Sequence, residues 1–126
     1  IDGSGKSTLS TELLENLNQS NIKAVKFAEP TQYETGLYIR RFLKGEISLS
    51  KSEQIQAFLE DREVSVVRNL RPNLETGTNV IYDRYFFSMA AYQSGEEFSA
   101  EKILSLNLEK NFPTPDLLFY INIDPE

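Results

Sequence analysis

The sequence contains no cysteine and no histidine. A disulfide framework is thereby excluded, as is any zinc site built from Cys or His ligands. No apolar stretch is long enough to cross a bilayer as a helix, and no charged-then-apolar leader opens the chain. Positive charge is also scarce. Lys+Arg number 13 against Asp+Glu 19, giving a net charge of -6, and no basic run stands out that would follow a nucleic-acid backbone. These absences argue against a membrane partner and against a nucleic-acid polymer, and they leave a soluble cytoplasmic protein as the expectation. They do not weigh against a nucleotide ligand, because a phosphate pocket needs only a few local donors and cations. What is present, 40% hydrophobic and 25% charged residues in 126, suits one domain with one buried core.

Helix and strand patterns alternate along the chain. Leu9, Leu13 and Leu17 recur at helical spacing, and Asn18 to Asn21 closes that helix. Ala24 to Ala28 reads as a short strand stopped by Glu29-Pro30-Thr31, since Pro30 supplies no ladder donor. Gly36 to Leu43 and about Lys51 to Leu70 read as helices, the second capped by Ser50 or Ser52 and ended before Pro72. Asn79 to Tyr82 is a buried strand by its β-branched content, and it delivers Asp83-Arg84-Tyr85. Phe87 to Gln93 and Ala100 to Glu109 read as helices, and Leu117 to Ile123 as a last strand. Strands separated by helices imply crossovers, hence an α/β fold with a parallel sheet covered on both faces. We expect a single domain over 1–126 that is truncated at both ends. The chain opens in the middle of a motif and stops just after an apolar strand.

That opening motif is Gly3-Ser4-Gly5-Lys6-Ser7-Thr8, directly before an amphipathic helix. Glycines at 3 and 5 allow successive N–H groups to converge on phosphate oxygens at the helix N-terminus, where the dipole also favours an anion. Lys6 would reach the β- and γ-phosphates of ATP, and Ser7 would offer a hydroxyl to Mg²⁺. The sequence thus reads as a Walker A loop whose leading Gly lies upstream. In a parallel sheet the strand C-terminal ends line one crevice, which would gather this loop, Glu29 and Asp83-Arg84 around one site. There Asp83 is suited to holding a water on Mg²⁺, and Arg84 to clamping an acceptor phosphate or one in transfer. The alternative for the Asp-Arg pair is a surface ion pair. Phe58 and Arg62 lie four apart on one helical face, and together would give one base a stacking plane and a forked donor. A core-edge aromatic with a solvated Arg is the bland reading of the same spacing.

The ordered set of motifs resembles the thymidylate kinase family. It comprises Gly3 to Thr8, Glu29-Pro30-Thr31 with Gly36, Ile39 and Arg40, then Phe58 and Arg62, Asp83-Arg84-Tyr85 with Ser88, Tyr92 and Gln93, Pro115-Asp116-Leu117, and Asp124-Pro125-Glu126. The resemblance implies a P-loop fold with a five-stranded parallel sheet, a homodimer, and transfer of the γ-phosphoryl group of ATP to dTMP, giving dTDP and ADP with Mg²⁺. By position it implies that Asp2 meets the deoxyribose 3′-hydroxyl and that Phe58 stacks on thymine. Arg62 with Gln93 would bond the base edge, Arg40 and Glu29 would face the thymidylate site, and Ser88 would line it. Tyr92 would crowd the position of a ribose 2′-hydroxyl, and Arg84 would bind the acceptor phosphate.

The chain departs from the family pattern at two residues. Bacterial members usually carry an Arg where Ala28 stands, and often a small polar residue where Met89 stands. No Arg appears among the variable residues of the P-loop, which resembles the kind that takes its catalytic Arg from a lid after the last strand, and that lid is absent from these residues. The 126 residues alone are therefore expected not to turn over. Two other functions share parts of this pattern. A deoxynucleoside kinase would use Glu29 as a base on an uncharged 5′-hydroxyl. A non-catalytic nucleotide-binding module would be consistent with Ala28, Met89 and the missing lid.

Overall fold

The computed structural model describes residues 6–84 and 99–119. Lys6–Gln19 forms helix α1, and its end is tied to the strand that follows by one side chain. The Asn18 amide accepts from Ala24 N–H at 3.2 Å and donates to Ala24 C=O at 3.5 Å, copying a strand partner at the turn. That strand, β1 (Ala24–Ala28), pairs in parallel with β2 (Asn79–Asp83), the register running from Ala24 opposite Asn79 to Ala28 opposite Asp83. These are the two sheet strands among the described residues.

Period-two alternation then assigns the faces. Lys26 Nζ donates to Thr11 Oγ1 of α1 at 3.0 Å, so the Lys26 side faces α1. Val80 and Tyr82 face the other way, into a core of Ile55, Leu59, Val66, Leu70, Ile103 and Phe112. Phe27 meets Tyr82 on that side, ring centroids 6.0 Å apart. The sheet is thus covered on both faces, as an α/β fold requires.

The core elements are α2 (Glu34–Leu43), α3 (Lys51–Ser65) and α5 (Ala100–Glu109). Ser50, of the two serines expected to cap α3, is the one that does. Its hydroxyl accepts from Glu53 N–H while the Glu53 carboxylate accepts from Ser50 N–H, a reciprocal capping box. The end of α3 corrects the sequence expectation. Helical backbone does not stop before Pro72 but widens into a π-helical segment, Val66–Leu70, and continues as α4 (Arg71–Glu75). Pro72 lies in the first turn of α4, where a missing N–H and a fixed φ are tolerated. Of the apolar run at 117–123, Leu117, Leu118 and Phe119 form no strand and are exposed; the rest lies outside the described residues. The helix expected over Phe87 to Gln93 also lies outside them. Among the described residues no helix is long and apolar enough to cross a membrane.

Candidate functional site

The C-terminal ends of β1 and β2 emerge side by side, as parallel pairing in register demands. Ala28 stands opposite Asp83, and the next amide, Glu29 N–H, reaches Asp83 C=O at 3.4 Å. Onto this edge comes the first turn of α1, whose Ser7 hydroxyl donates to Asp83 Oδ2 at 3.2 Å. A serine and a carboxylate separated by 76 positions in the chain are thereby placed at one point. Both offer hard oxygen ligands, the donor chemistry that suits Mg²⁺. Arg84 follows Asp83 with φ at 72°, a left-handed conformation that bulky residues seldom hold outside functional turns.

The loop after β1 is gripped by two adjacent residues of α3. Asp61 is buried, and its carboxylate accepts from Thr31 N–H at 2.8 Å, from the Thr31 hydroxyl at 2.6 Å and from the Thr35 hydroxyl at 2.7 Å. Arg62, its neighbour, holds the other end of the same tripeptide. Nε and Nη2 both donate to Glu29 Oε1, at 2.8 and 2.6 Å, in an ion pair whose side chains are only 2% and 3% exposed. The third anchor is Tyr33, which donates to Asn69 Oδ1 at 2.7 Å and carries the Arg68 guanidinium over its ring.

Electrostatically this is a dry site. Burial pushes the Glu29 carboxyl above its ordinary value, while Arg62 beside it pulls in the opposite direction. Its second oxygen, Oε2, has no hydrogen-bond partner among the described residues. Burial also holds the Tyr82 phenol up at about 12, opposed by its hydrogen bond with Ser65. Arg62 Nη1 donates to Asn107 Oδ1 of α5 at 2.8 Å, so α3, α5 and the loop after β1 meet at one guanidinium.

Of the residues singled out in the sequence, Ser7 and Asp83 meet directly, and Glu29 and Arg62 meet directly. Arg40 donates to Pro30 C=O at 2.6 Å, and its Nε is buried with no partner among the described residues. Phe58 packs, partly buried, against the core. Thr8 lies exposed in the first turns of α1, and Lys6 opens that helix. Asp2, Gly3, Ser4, Gly5, Ser88, Met89, Tyr92 and Gln93 lie outside the described residues.

Sequence reasoning passed over Asp61 and Asn107. For Asp61 the available signal was its adjacency to Arg62. For Asn107 it was a polar residue four after Ile103, at a core position of an otherwise apolar helical stripe.

Comparison with known proteins points to one family. A family model described as "Thymidylate kinase" matches residues 1–126. The chain is 56% identical over 125 residues to a thymidylate kinase of Leptospira borgpetersenii, covering 99% of this chain and 61% of that one. It is 37% identical over 126 residues to a probable thymidylate kinase of Archaeoglobus fulgidus, covering 100% of this chain and 62% of that one. Among solved structures, the thymidylate kinase of Ehrlichia chaffeensis superposes with a TM-score of 0.86 at 31% identity, covering 98% of this chain and 69% of the other. The chain spans about 61% of the length of the Leptospira relatives it matches. With its whole length matched and its fold shared, the chain belongs to the thymidylate kinase family.

Proposed function

We propose that the protein transfers the γ-phosphoryl group of ATP to dTMP, giving ADP and dTDP, a step toward dTTP. The observation that carries this reading is the meeting of Ser7 with Asp83 at the edge where Glu29 and Arg84 leave their strands. Gly3, Ser4, Gly5, Lys6, Ser7 and Thr8 bind the ATP phosphates, with the Lys6 ammonium facing the charge that builds during transfer. Ser7 and Asp83 hold Mg²⁺. When bound, the ion neutralises charge on the phosphate oxygens. Arg84 clamps the acceptor phosphate, and Phe58 stacks on the base. Arg62, with Gln93, bonds the base edge, and Arg40, Glu29 and Ser88 line the acceptor side. Asp2 meets the 3′-hydroxyl and Tyr92 excludes a 2′-hydroxyl. A cytoplasmic homodimer is the working form we infer from the family.

The deoxynucleoside kinase alternative needs Glu29 as a free base for a 5′-hydroxyl. Its carboxylate is instead buried against Arg62, which weighs against that role. Acceptor profiling of the full-length protein with ATP and Mg²⁺ against thymidine and all ribo- and deoxyribonucleoside monophosphates tests the reading. ADP release strongest with dTMP is expected. Turnover of thymidine in preference to dTMP, or nucleotide binding without turnover, would overturn it.

A further inference from the structure

We infer that Asp61 is a positioning residue for the acceptor side of the site, acting through the Pro30–Thr31 peptide on Arg40; this rests on the functional reading above. That peptide is trans, so its carbonyl and its N–H point in opposite directions. Each end is bonded to a charge. Thr31 N–H donates to Asp61 Oδ2 at 2.8 Å, and Pro30 C=O accepts from Arg40 Nη2 at 2.6 Å. A carboxylate at the N–H and a guanidinium at the carbonyl both oppose rotation of the peptide plane, and each polarises the bond the other makes. The second carboxylate oxygen is engaged as well. Oδ1 accepts from the Thr31 and Thr35 hydroxyls, and the Thr31 oxygen accepts in turn from Tyr33 N–H at 3.1 Å, so the loop cannot turn without breaking several bonds. Asp61 is 1% exposed, and a carboxylate alone offers both of its oxygens as acceptors to three such donors.

Pro30 C=O is in turn the one group that the Arg40 side chain bonds among the described residues. Arg40 makes no ion pair there, and its Nε is buried without a partner. A half-buried guanidinium without a carboxylate is costly unless an anion completes it, and dTMP brings one in its 5′-phosphate. Where Arg40 presents its remaining donors is set by where Pro30 C=O points, and Asp61 sets that direction from the other end of the same peptide. A carboxylate that only steadied the loop would act on stability and on every acceptor alike.

The test is steady-state kinetics of the full-length protein with ATP and dTMP, and competition by thymidine, which lacks the phosphate, for wild type, Asp61→Ala, Asp61→Asn and Thr35→Val, with thermal unfolding in parallel. We expect KM for dTMP to rise about tenfold in both Asp61 variants, the scale of a lost hydrogen bond to a charged group. The thymidine inhibition constant should move by less than about twofold, and KM for ATP and kcat by less than about threefold. Thr35→Val removes a bond to the same carboxylate but leaves the peptide's own, so it should lower the melting temperature with KM for dTMP within about twofold of wild type. Should Asp61→Ala fail to fold, Asp61→Asn decides, since it keeps the shape while removing the charge and one of the two accepting oxygens. In an Arg40→Met background Asp61→Asn should add less than about twofold, because residues acting through one contact are not additive. A folded Asp61→Asn protein with wild-type KM for dTMP, or one that loses dTMP and thymidine equally, overturns the inference alone. A wild-type protein without dTMP-dependent ADP release overturns the functional reading and the inference with it.

Discussion

Arg62 shows how burial changes the meaning of a single residue. From spacing alone, its replacement would cost base binding and leave stability untouched. In the fold, its guanidinium is the partner of a buried carboxylate. Arg62→Ala should therefore destabilise the protein by about 3–5 kcal/mol in urea unfolding, the usual cost of leaving one member of a buried pair uncompensated. The pH dependence follows from Glu29, whose carboxyl is raised above 4.5 by burial and restrained by Arg62. A folded pKa above the unfolded one means the folded state holds the extra proton between the two values, so stability is lost as pH rises through the folded pKa. Removing Arg62 takes away the restraint and moves that window upward. The penalty of Arg62→Ala should accordingly grow as pH rises above 4.5, and a penalty that does not change with pH would rule out Glu29 as the group left unpaired. Tyr82 gives a second titration. With its phenol held at about 12, it should ionise later than a free phenol in an absorbance titration at 295 nm, and its contribution to stability should be lost only above the unfolded value near 10.

At the scale of elements, the loop carrying Glu29 is set by how closely α2 approaches it. A Cβ added at Gly36 would lie 2.0 Å from Thr31 O and 2.6 Å from Thr31 N and C, all of them backbone atoms with no rotamer to yield. Gly36→Ala should therefore destabilise by about 1–3 kcal/mol, an overpacking cost that outweighs the gain of up to ~1 kcal/mol from replacing a helical glycine. Because the displaced loop holds Glu29 and Thr31, the KM for dTMP should rise as well. A variant as stable as wild type in chemical denaturation would show that α2 can retreat. The capping box of α3 is a more ordinary case. Ser50→Ala removes the acceptor for Glu53 N–H at an exposed helix start and should cost about 1 kcal/mol, with no change in acceptor KM.

Across the whole molecule, the sheet brings together residues far apart in the chain, and the two faces divide the work. The α1 face brings Ser7 to Asp83, while the α3 and α5 face builds the dry network around Arg62. No cluster of three or more Asp or Glu exists among the described residues to hold a structural metal. With Mg²⁺ proposed at Ser7 and Asp83, chelation by EDTA should abolish ADP release from the full-length protein while leaving its melting temperature within about 2 °C of the untreated value, a shift of about 1 kcal/mol or less for a chain of about 150–250 residues. A large drop in melting temperature would point to a metal with a structural role.

The sequence by itself determined the elements and the ordered motifs that mark the family. Helical periodicity, the Gly-Ser-Gly-Lys-Ser-Thr turn, and two short strand-like runs that deliver Glu29 and Asp83 are local signals, and the helices and strands expected in the described residues are present, save that Leu117, Leu118 and Phe119 form no strand and that helical backbone does not end before Pro72. The second exception is physical: proline is excluded from a helix interior but not from a first turn, and the π-helical segment before it starts a new one. The partners of the buried groups were decided only by tertiary structure. Phe58 and Arg62 share a helical face in any reading, yet whether that face meets solvent, a ligand or Glu29 depends on where the loop after β1 and α5 arrive, whose Glu29 and Asn107 are 33 and 45 residues away from Arg62 in the chain. Periodicity encodes which side of a helix is inward; it carries no information on which carboxylate or amide waits there, because that pairing is set by long-range packing.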